Sequence, residues 1–286
     1  MLKPERHLAV TLLLLAACTT PIPPTITPEP SPTAQARPRP SASPTAAPPT
    51  TSPSPAVSRE DTQSILDRLG AYPCSDSDFT CVSLTVPQDH FDPANPETIE
   101  VVFGVLPASG DRKGMFVTVV GGPGGSGLAV ADSYTAAFDP SITEHFDVVF
   151  FDQRGVAASG GLQCVTAAAA FYRSDWDAAT PAGEAALVGT AESFAQDCVT
   201  ETGGRDLLAY LGTEQAVEDL ELFRQTMQDE RLWLYGESYG TQFAQTYAAA
   251  HPERLAGLIL DGPVDLTLSG IEYLEEQATA FNEVLL

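Results

Sequence analysis

The segment from Leu232 to Ala248 reads LWLYGESYGTQFAQTYA and is the most informative part of the chain. An apolar strand pattern runs into Gly-x-Ser-x-Gly centred on Ser238, and a helix pattern of small and aromatic residues follows. A tight turn from strand to helix strains its middle residue, and its glycines avoid collisions with neighbouring backbone. The pattern therefore favours Ser238 as a catalytic nucleophile above a sheet, over a purely structural serine.

The surrounding backbone predicts how a negatively charged intermediate would be stabilised. The helix starts directly after Ser238, so the Tyr239 amide has no intrahelical partner and the helix dipole favours an anion there. A second segment, GGPGGSG over residues 121–127, follows an apolar run and would bring bare amides close to a ligand. A phosphate-binding loop is disfavoured because Gly-Lys-Ser/Thr is absent from it, and a flexible turn is the remaining alternative.

The rest of the folded part alternates strand and helix patterns. Six strands are predicted, over 81–86, 99–106, Met115–Val120, Phe146–Phe151, Leu232–Tyr235 and Leu255–Leu260. The last four are continuous apolar runs, which are typical of strands buried on both faces. The clearest helix is Glu214–Gln228, behind a Thr213 cap. This alternation predicts an α/β fold, with a mostly parallel sheet and helices on both faces.

Four motifs in a fixed order extend this interpretation. They are GGPGGSG at 121–127, FDQRG at 151–155, GESYG at 236–240 and LILDGP at 258–263. The ordered set resembles the proline iminopeptidase and tripeptidyl aminopeptidase family of α/β-hydrolases, in particular its secreted bacterial tripeptidyl aminopeptidase branch. The resemblance covers about residues 70–275. It implies that Ser238 is the nucleophile and that the amides of Tyr239 and Gly122 form the oxyanion hole.

The resemblance also implies a set of residues that shape the site: Gly121, Pro123, Gly124, Asp152, Arg154, Gly236, Glu237 and Gly240. We expect Arg154 to buttress the loops and not to touch substrate. Glu237 could bind an ammonium group, but a structural role is favoured because the residue before the nucleophile generally points into the protein. The segment 156–159 departs from the family pattern, in which Gly and Arg often precede the serine, so the packing of that loop is left open.

A serine nucleophile needs a general base, ordinarily a histidine oriented by a carboxylate, and in this fold the order is Ser, acid, His. His251 is the one histidine after Ser238, and it lies at the far end of the following helix, roughly 20 Å away at 1.5 Å per residue. Asp261 ends a strand on the catalytic side and is a weak candidate for the acid. We expect residues 58–286 to be the N-terminal part of a longer hydrolase domain, with the start of a helical lid from about 266 and the acid and histidine beyond 286. The chain alone is then expected to be inactive because the acid and the histidine are absent from it. Most of the lid and the last strands of the sheet would also be missing.

The N-terminus predicts export. Basic residues precede a short apolar run that ends in Leu15-Ala-Ala-Cys18, which resembles the bacterial lipobox with lipidation at Cys18. Residues 1–18 are therefore interpreted as a lipoprotein signal peptide, and 19–57, rich in Pro, Thr and Ser, as a disordered tether. We expect a lipid anchor on the extracytoplasmic face of a bacterial membrane. A plain secretory signal is the alternative.

Composition excludes some partners. The net charge of −24 would repel nucleic acid, so no nucleic-acid partner is expected. The acidity is interpreted as solubilising, with a preference for cationic substrates as the alternative.

Four further cysteines, an even number in an exported chain, favour two disulfides. Three pairings are possible, and sequence proximity favours Cys74–Cys81 and Cys164–Cys198. The spacing disfavours a metal site, and no metal or organic cofactor is implied.

The leading hypothesis is a serine exopeptidase that removes short peptides from free N-termini through an acyl-enzyme. Its peptide substrate and amino-terminal selectivity rest on the resemblance alone. A carboxylesterase or lipase is one alternative, because the same nucleophile machinery cleaves esters. A catalytically inactive surface lipoprotein is the other, if the natural chain ends at 286.

Overall fold

A computed structural model describes residues 61–203 and 206–285. The predictions for Cys18, the signal segment 1–18 and the tether 19–57 lie outside the described residues, as does the start of the folded part at 58. The strands are β1 Tyr72–Pro73, β2 Thr80–Pro87, β3 Thr98–Leu106, β4 Gly114–Val119, β5 Phe146–Phe151, β6 Leu232–Glu237 and β7 Leu255–Asp261. The helices are α1 Thr62–Arg68, α2 Gly127–Ala137, α3 Pro140–His145, α4 Val165–Tyr172, α5 Pro181–Glu201, α6 Thr213–Thr226, α7 Tyr239–Ala250 and α8 Gly270–Leu285. In these two ranges, every helix is too short or too polar to cross a bilayer.

The strands form one sheet in the order β1-β2-β3-β5-β4-β6-β7. Neighbours from β5 through β4 and β6 to β7 are parallel, while β1, β2, β3 and β5 pair antiparallel. The carboxyl ends of β4 and β6 therefore lie side by side, with Val119 paired with Gly236. This pairing places the glycine-rich segment and the Ser238 turn at the same edge of the sheet.

Apolar side chains leave the central strands on both faces. In β5, Val149 and Phe151 pack with α6 and α7, and the rings of Phe151 and Phe243 lie 5.8 Å apart. Val148 and Phe150 face the other side, where α2 packs. A strand covered by helices on both faces needs a continuous apolar run, so this packing explains why the sequence predicted the bounds of β5 correctly.

Two details of the predicted elements are wrong. Thr213 was expected to cap α6, but the cap is Gly212 and Thr213 is the first residue of the helix. The run Leu255–Leu260 was expected to be buried on both faces, but Leu258 is 38% exposed and Ile259 is 41% exposed. The reason is that β7 is the outermost strand of the sheet among the described residues, with β6 on one side.

The disulfides are the ones that sequence proximity favoured. Cys74 follows β1 and is bonded to Cys81 in β2, which joins the first antiparallel pair. Cys164 precedes α4 and is bonded to Cys198 in α5, which ties together the two helices of one antiparallel hairpin. The pairing prediction is therefore confirmed.

Candidate active site

Ser238 occupies a strained turn between β6 and α7. Its backbone angles are φ 54° and ψ −121°, a conformation that costs a residue other than glycine on the order of 1–3 kcal/mol. Neighbouring groups hold it there: its amide donates to the Asp261 carbonyl at 2.9 Å, and its carbonyl accepts from the Thr241 amide at 2.9 Å. Ser238 itself is exposed. The turn thus presents the hydroxyl at the carboxyl end of the sheet.

Thr241 is a supporting residue that sequence reasoning missed. Its side chain is fully buried, and its hydroxyl donates to the Ser238 carbonyl at 2.6 Å. The same hydroxyl accepts from the Val264 amide at 2.8 Å. Gln245 adds a second tie by donating to the Val264 carbonyl at 2.9 Å. Helix α7 therefore fixes both the nucleophile turn and the segment that follows β7.

The glycines of the two motifs allow their backbones to approach. A Cβ on Gly236 would collide with the Gly240 carbonyl, and one on Gly240 would collide with the Val119 carbonyl. A Cβ on Gly121 would stand 2.9 Å from the Ser238 Cβ and 3.3 Å from its Oγ. The glycine-rich segment therefore lies directly against the nucleophile, in the position that an oxyanion hole requires.

A cavity of about 440 Å³ opens in front of Ser238. It brings together four of the predicted site residues, namely Gly122, Pro123, Ser238 and Tyr239. The other lining residues come from α7, from the segment after β7 and from the start of α8: Gln242, Val264, Asp265, Leu266, Leu268, Ser269, Gly270 and Tyr273. The amide of Tyr239 lies in the first turn of α7, where the helix itself supplies no acceptor for it.

A second cavity of about 410 Å³ shares Pro123 and Tyr239 with the first. The rest of its lining combines the glycine-rich segment, the residues after β5 and a leucine just before α6: Gly124, Ser126, Gln153, Arg154, Gly155, Val156, Ala157, Leu162 and Leu211. The Tyr239 hydroxyl is hydrogen-bonded to the Thr213 hydroxyl at 2.7 Å, which fixes the ring. Tyr239, the residue after the nucleophile, therefore lines both cavities.

Asp152 is buried and joins three loops behind the site. Its Oδ1 accepts from the Ser126 hydroxyl at 2.6 Å and from the Leu128 amide at 3.2 Å, at the start of α2. Its Oδ2 accepts from the Ala158 amide at 3.0 Å. The carboxylate thus sets where the glycine-rich segment enters α2, and it does not line the cavity at Ser238.

Arg154 is enclosed by protein, and all five of its N–H groups have acceptors. Two donate to the carboxylate of Asp219, at 2.6 and 2.8 Å. The others donate to the carbonyl oxygens of Pro87, Gln88 and Tyr210. His90 shares the same carboxylate at 2.7 Å. With its hydrogen-bonding capacity used, Arg154 holds loops together, which is the role expected for it.

Glu237 points away from the cavity and accepts a hydrogen bond from the Tyr134 hydroxyl. This bond, with burial, raises the pKa of Tyr134 to about 12. Nearby, the Tyr235 hydroxyl donates to Asp261 at 2.9 Å, and burial together with this carboxylate raises the pKa of Tyr235 to about 12. Both tyrosines thus stay protonated at neutral pH as donors to these acids, and Asp261, the weak candidate for the triad acid, already has a partner.

The described residues include three histidines, and none of them lines the cavity. Each is hydrogen-bonded elsewhere: His90 to Asp219, His145 to the Asp111 carbonyl and His251 to Glu218. Helix α7 separates His251 from Ser238, and its 12 residues span about 18 Å. Within 61–203 and 206–285, no histidine is therefore placed to act as the general base for Ser238.

The fold and the turn at Ser238 define an α/β-hydrolase. A family model for the alpha/beta hydrolase fold matches residues 115–283, more than half of the chain. The chain belongs to this family, and the fold class predicted from the strand and helix patterns is confirmed.

Three relatives indicate the range of proteins that the chain is similar to. Serine protease Hip1 of Mycobacterium tuberculosis is 33% identical over 213 residues, which cover 71% of this chain and 39% of that protein. Carboxylesterase B of the same organism is 32% identical, with 71% and 40% covered. Tripeptidyl aminopeptidase of Streptomyces lividans is 28% identical, with 68% and 37% covered. The chain thus spans about two fifths of the length of the curated relatives it matches.

Proposed function

We propose that Ser238 is the nucleophile of a serine exopeptidase that releases short peptides from free N-termini. The observation that carries this proposal is the strained backbone of Ser238, held at the carboxyl end of β6 with the glycine-rich segment against it. The hydroxyl would attack the scissile carbonyl, and the carbonyl oxygen would become an anion between the amides of Tyr239 and Gly122. Loss of the amine would leave an acyl-enzyme on Ser238, which water would then hydrolyse.

The proton of the Ser238 hydroxyl needs an acceptor, which we propose is a histidine oriented by a carboxylate outside the described residues. The pairing of His90, His145 and His251 with other groups supports this. The match covers about two fifths of the length of each relative, which supports a longer protein. The described residues would then supply the nucleophile and the oxyanion hole, while the triad is completed elsewhere.

The preference for peptides over esters rests on the relatives' names, since a serine protease and a tripeptidyl aminopeptidase are among them. A carboxylesterase is the second candidate, favoured by the similarity to Carboxylesterase B at 32% identity. Both activities would use the same nucleophile and oxyanion hole, so the geometry at Ser238 is compatible with either.

Three substrates separate these activities. A tripeptide p-nitroanilide with a free amine and its N-acetyl form should be compared with a p-nitrophenyl ester, using the full-length protein and its Ser238→Ala variant. Rapid cleavage of the free-amine anilide, loss of cleavage on acetylation and inactivity of the variant are expected. Ester cleavage with no anilide turnover would favour the carboxylesterase, and no turnover of either would favour an inactive lipoprotein.

We also propose that the protein is exported and held at the extracytoplasmic face of a bacterial membrane through lipid on Cys18. The support is the sequence Leu15-Ala16-Ala17-Cys18 after a short apolar run. A lipidated cysteine followed by the long Pro-rich segment 19–57 would keep the catalytic domain in the aqueous phase while restricting it to the membrane surface.

A further inference from the structure

The cavity in front of Ser238 carries a negative charge. Asp265 is its one charged residue among the twelve that line it in the described part of the chain. The neighbouring cavity has Arg154 as its charged residue and no acid. Because the charge of Arg154 is paired with buried Asp219, a cationic group on a substrate would be favoured in the first cavity, where the charge of Asp265 is negative.

The carboxylate of Asp265 is both ionised and incompletely used. Its Oδ1 accepts from the Thr267 amide at 2.8 Å and from the Thr267 hydroxyl at 2.7 Å. These bonds hold the pKa of Asp265 below its usual range. Its other oxygen, Oδ2, has no partner within 61–203 and 206–285, so it is available to a ligand.

The position of Asp265 relative to the nucleophile is fixed by its neighbour. The amide of Val264 donates to Thr241, and the carbonyl of Val264 accepts from Gln245. Thr241 also holds the Ser238 carbonyl. The Ser238 turn and the segment that carries Asp265 are thus both anchored to the first two turns of α7, which gives Asp265 a defined place relative to the nucleophile.

We infer that Asp265 receives the terminal ammonium of the peptide substrate. The inference rests on the proposed exopeptidase function and names the residue that reads the free N-terminus. The acyl part of the substrate would then lie in the cavity with Asp265, and the leaving group would lie toward the cavity on the other side of Tyr239. The net charge of −24 would add long-range attraction for cationic substrates.

The test compares Asp265→Asn with wild type in the full-length protein. Asparagine can still accept the two bonds from Thr267 through its Oδ1, so the local turn is kept while the charge is lost. Glu272→Gln is the matched control: Glu272 also accepts a backbone N–H, from Ser269 at 2.8 Å, but it does not line the Ser238 cavity. The substrates are the tripeptide p-nitroanilide with a free amine and its N-acetyl form.

For Asp265→Asn we expect KM for the free-amine substrate to rise about tenfold with kcat changed less than twofold, the size of a charge-assisted hydrogen bond. Glu272→Gln should match wild type on the free-amine substrate, and the N-acetyl substrate, which wild type is expected not to cleave, should stay uncleaved by both variants. An unchanged KM would overturn the inference. A loss of kcat of tenfold or more on the free-amine substrate would also overturn it, because Asp265 would then act in the chemistry, as the acid of the triad would.

A second readout does not depend on peptidase activity. A free tripeptide with an amino terminus should slow the labelling of Ser238 by a fluorophosphonate more than its N-acetyl form does, and Asp265→Asn should remove that difference. If anilides are not cleaved but the difference in protection is present, the exopeptidase proposal fails while the ammonium site stands. If wild type protects equally with both peptides, the ammonium site fails even where anilides are cleaved.

Discussion

Replacing Thr241 with valine should destabilise the protein far more than the loss of one hydroxyl on a surface would. Valine has nearly the same shape, so packing is preserved and the hydrogen bonds are the main change. Two bonds are lost, from the Thr241 hydroxyl to the Ser238 carbonyl at 2.6 Å and from the Val264 amide to that hydroxyl at 2.8 Å.

The two lost bonds have different costs. The Ser238 carbonyl keeps its bond from the Thr241 amide, so this loss is worth about 0.5–1.5 kcal/mol. The Val264 amide loses its acceptor at a fully buried hydroxyl, and an unsatisfied donor costs about 1–3 kcal/mol. We therefore expect Thr241→Val to lower the free energy of unfolding by about 2–4 kcal/mol, and to slow labelling of Ser238 because Val264 lines the cavity.

Urea unfolding of the full-length protein, followed by tryptophan fluorescence, measures the first effect. Thr246→Val is the control, because the Thr246 hydroxyl donates only to the Gln242 carbonyl one turn earlier in the same helix. This control should change stability by less than about 0.5 kcal/mol. Thr241→Ser, which keeps the hydroxyl, should retain the labelling rate. Equal destabilisation by the two valine variants would refute the role assigned to Thr241.

Three further predictions test other parts of the molecule. Gly121→Ala should reduce fluorophosphonate labelling at least tenfold because its Cβ would stand 2.9 Å from the Ser238 Cβ, whereas Gly189→Ala, with no atom within 4 Å of the new Cβ, should label as wild type; equal rates would contradict this. Burial works to raise the pKa of Glu221, but bonds from Arg224, Gln225 and Tyr247 lower it to about 2. Since the ionised form is the stabilised one, its contribution is present above about pH 4.5 and is lost toward pH 2. The stability advantage of wild type over Glu221→Gln should thus shrink by about 2 kcal/mol from pH 7 to pH 3 in urea unfolding, and an unchanged advantage would count against it. Cys18→Ala should abolish incorporation of an alkyne fatty acid and release the protein from membranes, whereas continued labelling would exclude Cys18 as the anchor.

The sequence predicted the frame of the fold because its signals are local. The bounds of β5 agree with the prediction because a continuous apolar run begins and ends with the strand. The Ser238 turn could be predicted because both flanking glycines are required by close backbone approach. Such features depend on residues within one segment, and a single sequence carries them fully.

Features that join distant segments could not be predicted. The bonds from Thr241 to Ser238 and Val264 depend on how the segment after β7 returns over α7. The presence of Asp265 in the cavity depends on the same return. The bond between Tyr134 and Glu237 joins α2 to β6, and its two residues are 103 positions apart in the sequence. The exposure of β7 depends on its place in the sheet, which apolar composition alone does not reveal.

The most direct test of the central claim is to locate the adduct of a fluorophosphonate on the full-length protein by mass spectrometry. Trypsin cleavage after Arg231 and Arg254 releases the peptide Leu232–Arg254, whose one serine is Ser238. We expect a single adduct on this peptide, and none in the Ser238→Ala variant. An adduct on another peptide, or no adduct on a folded full-length protein, would contradict the assignment of Ser238 as the nucleophile.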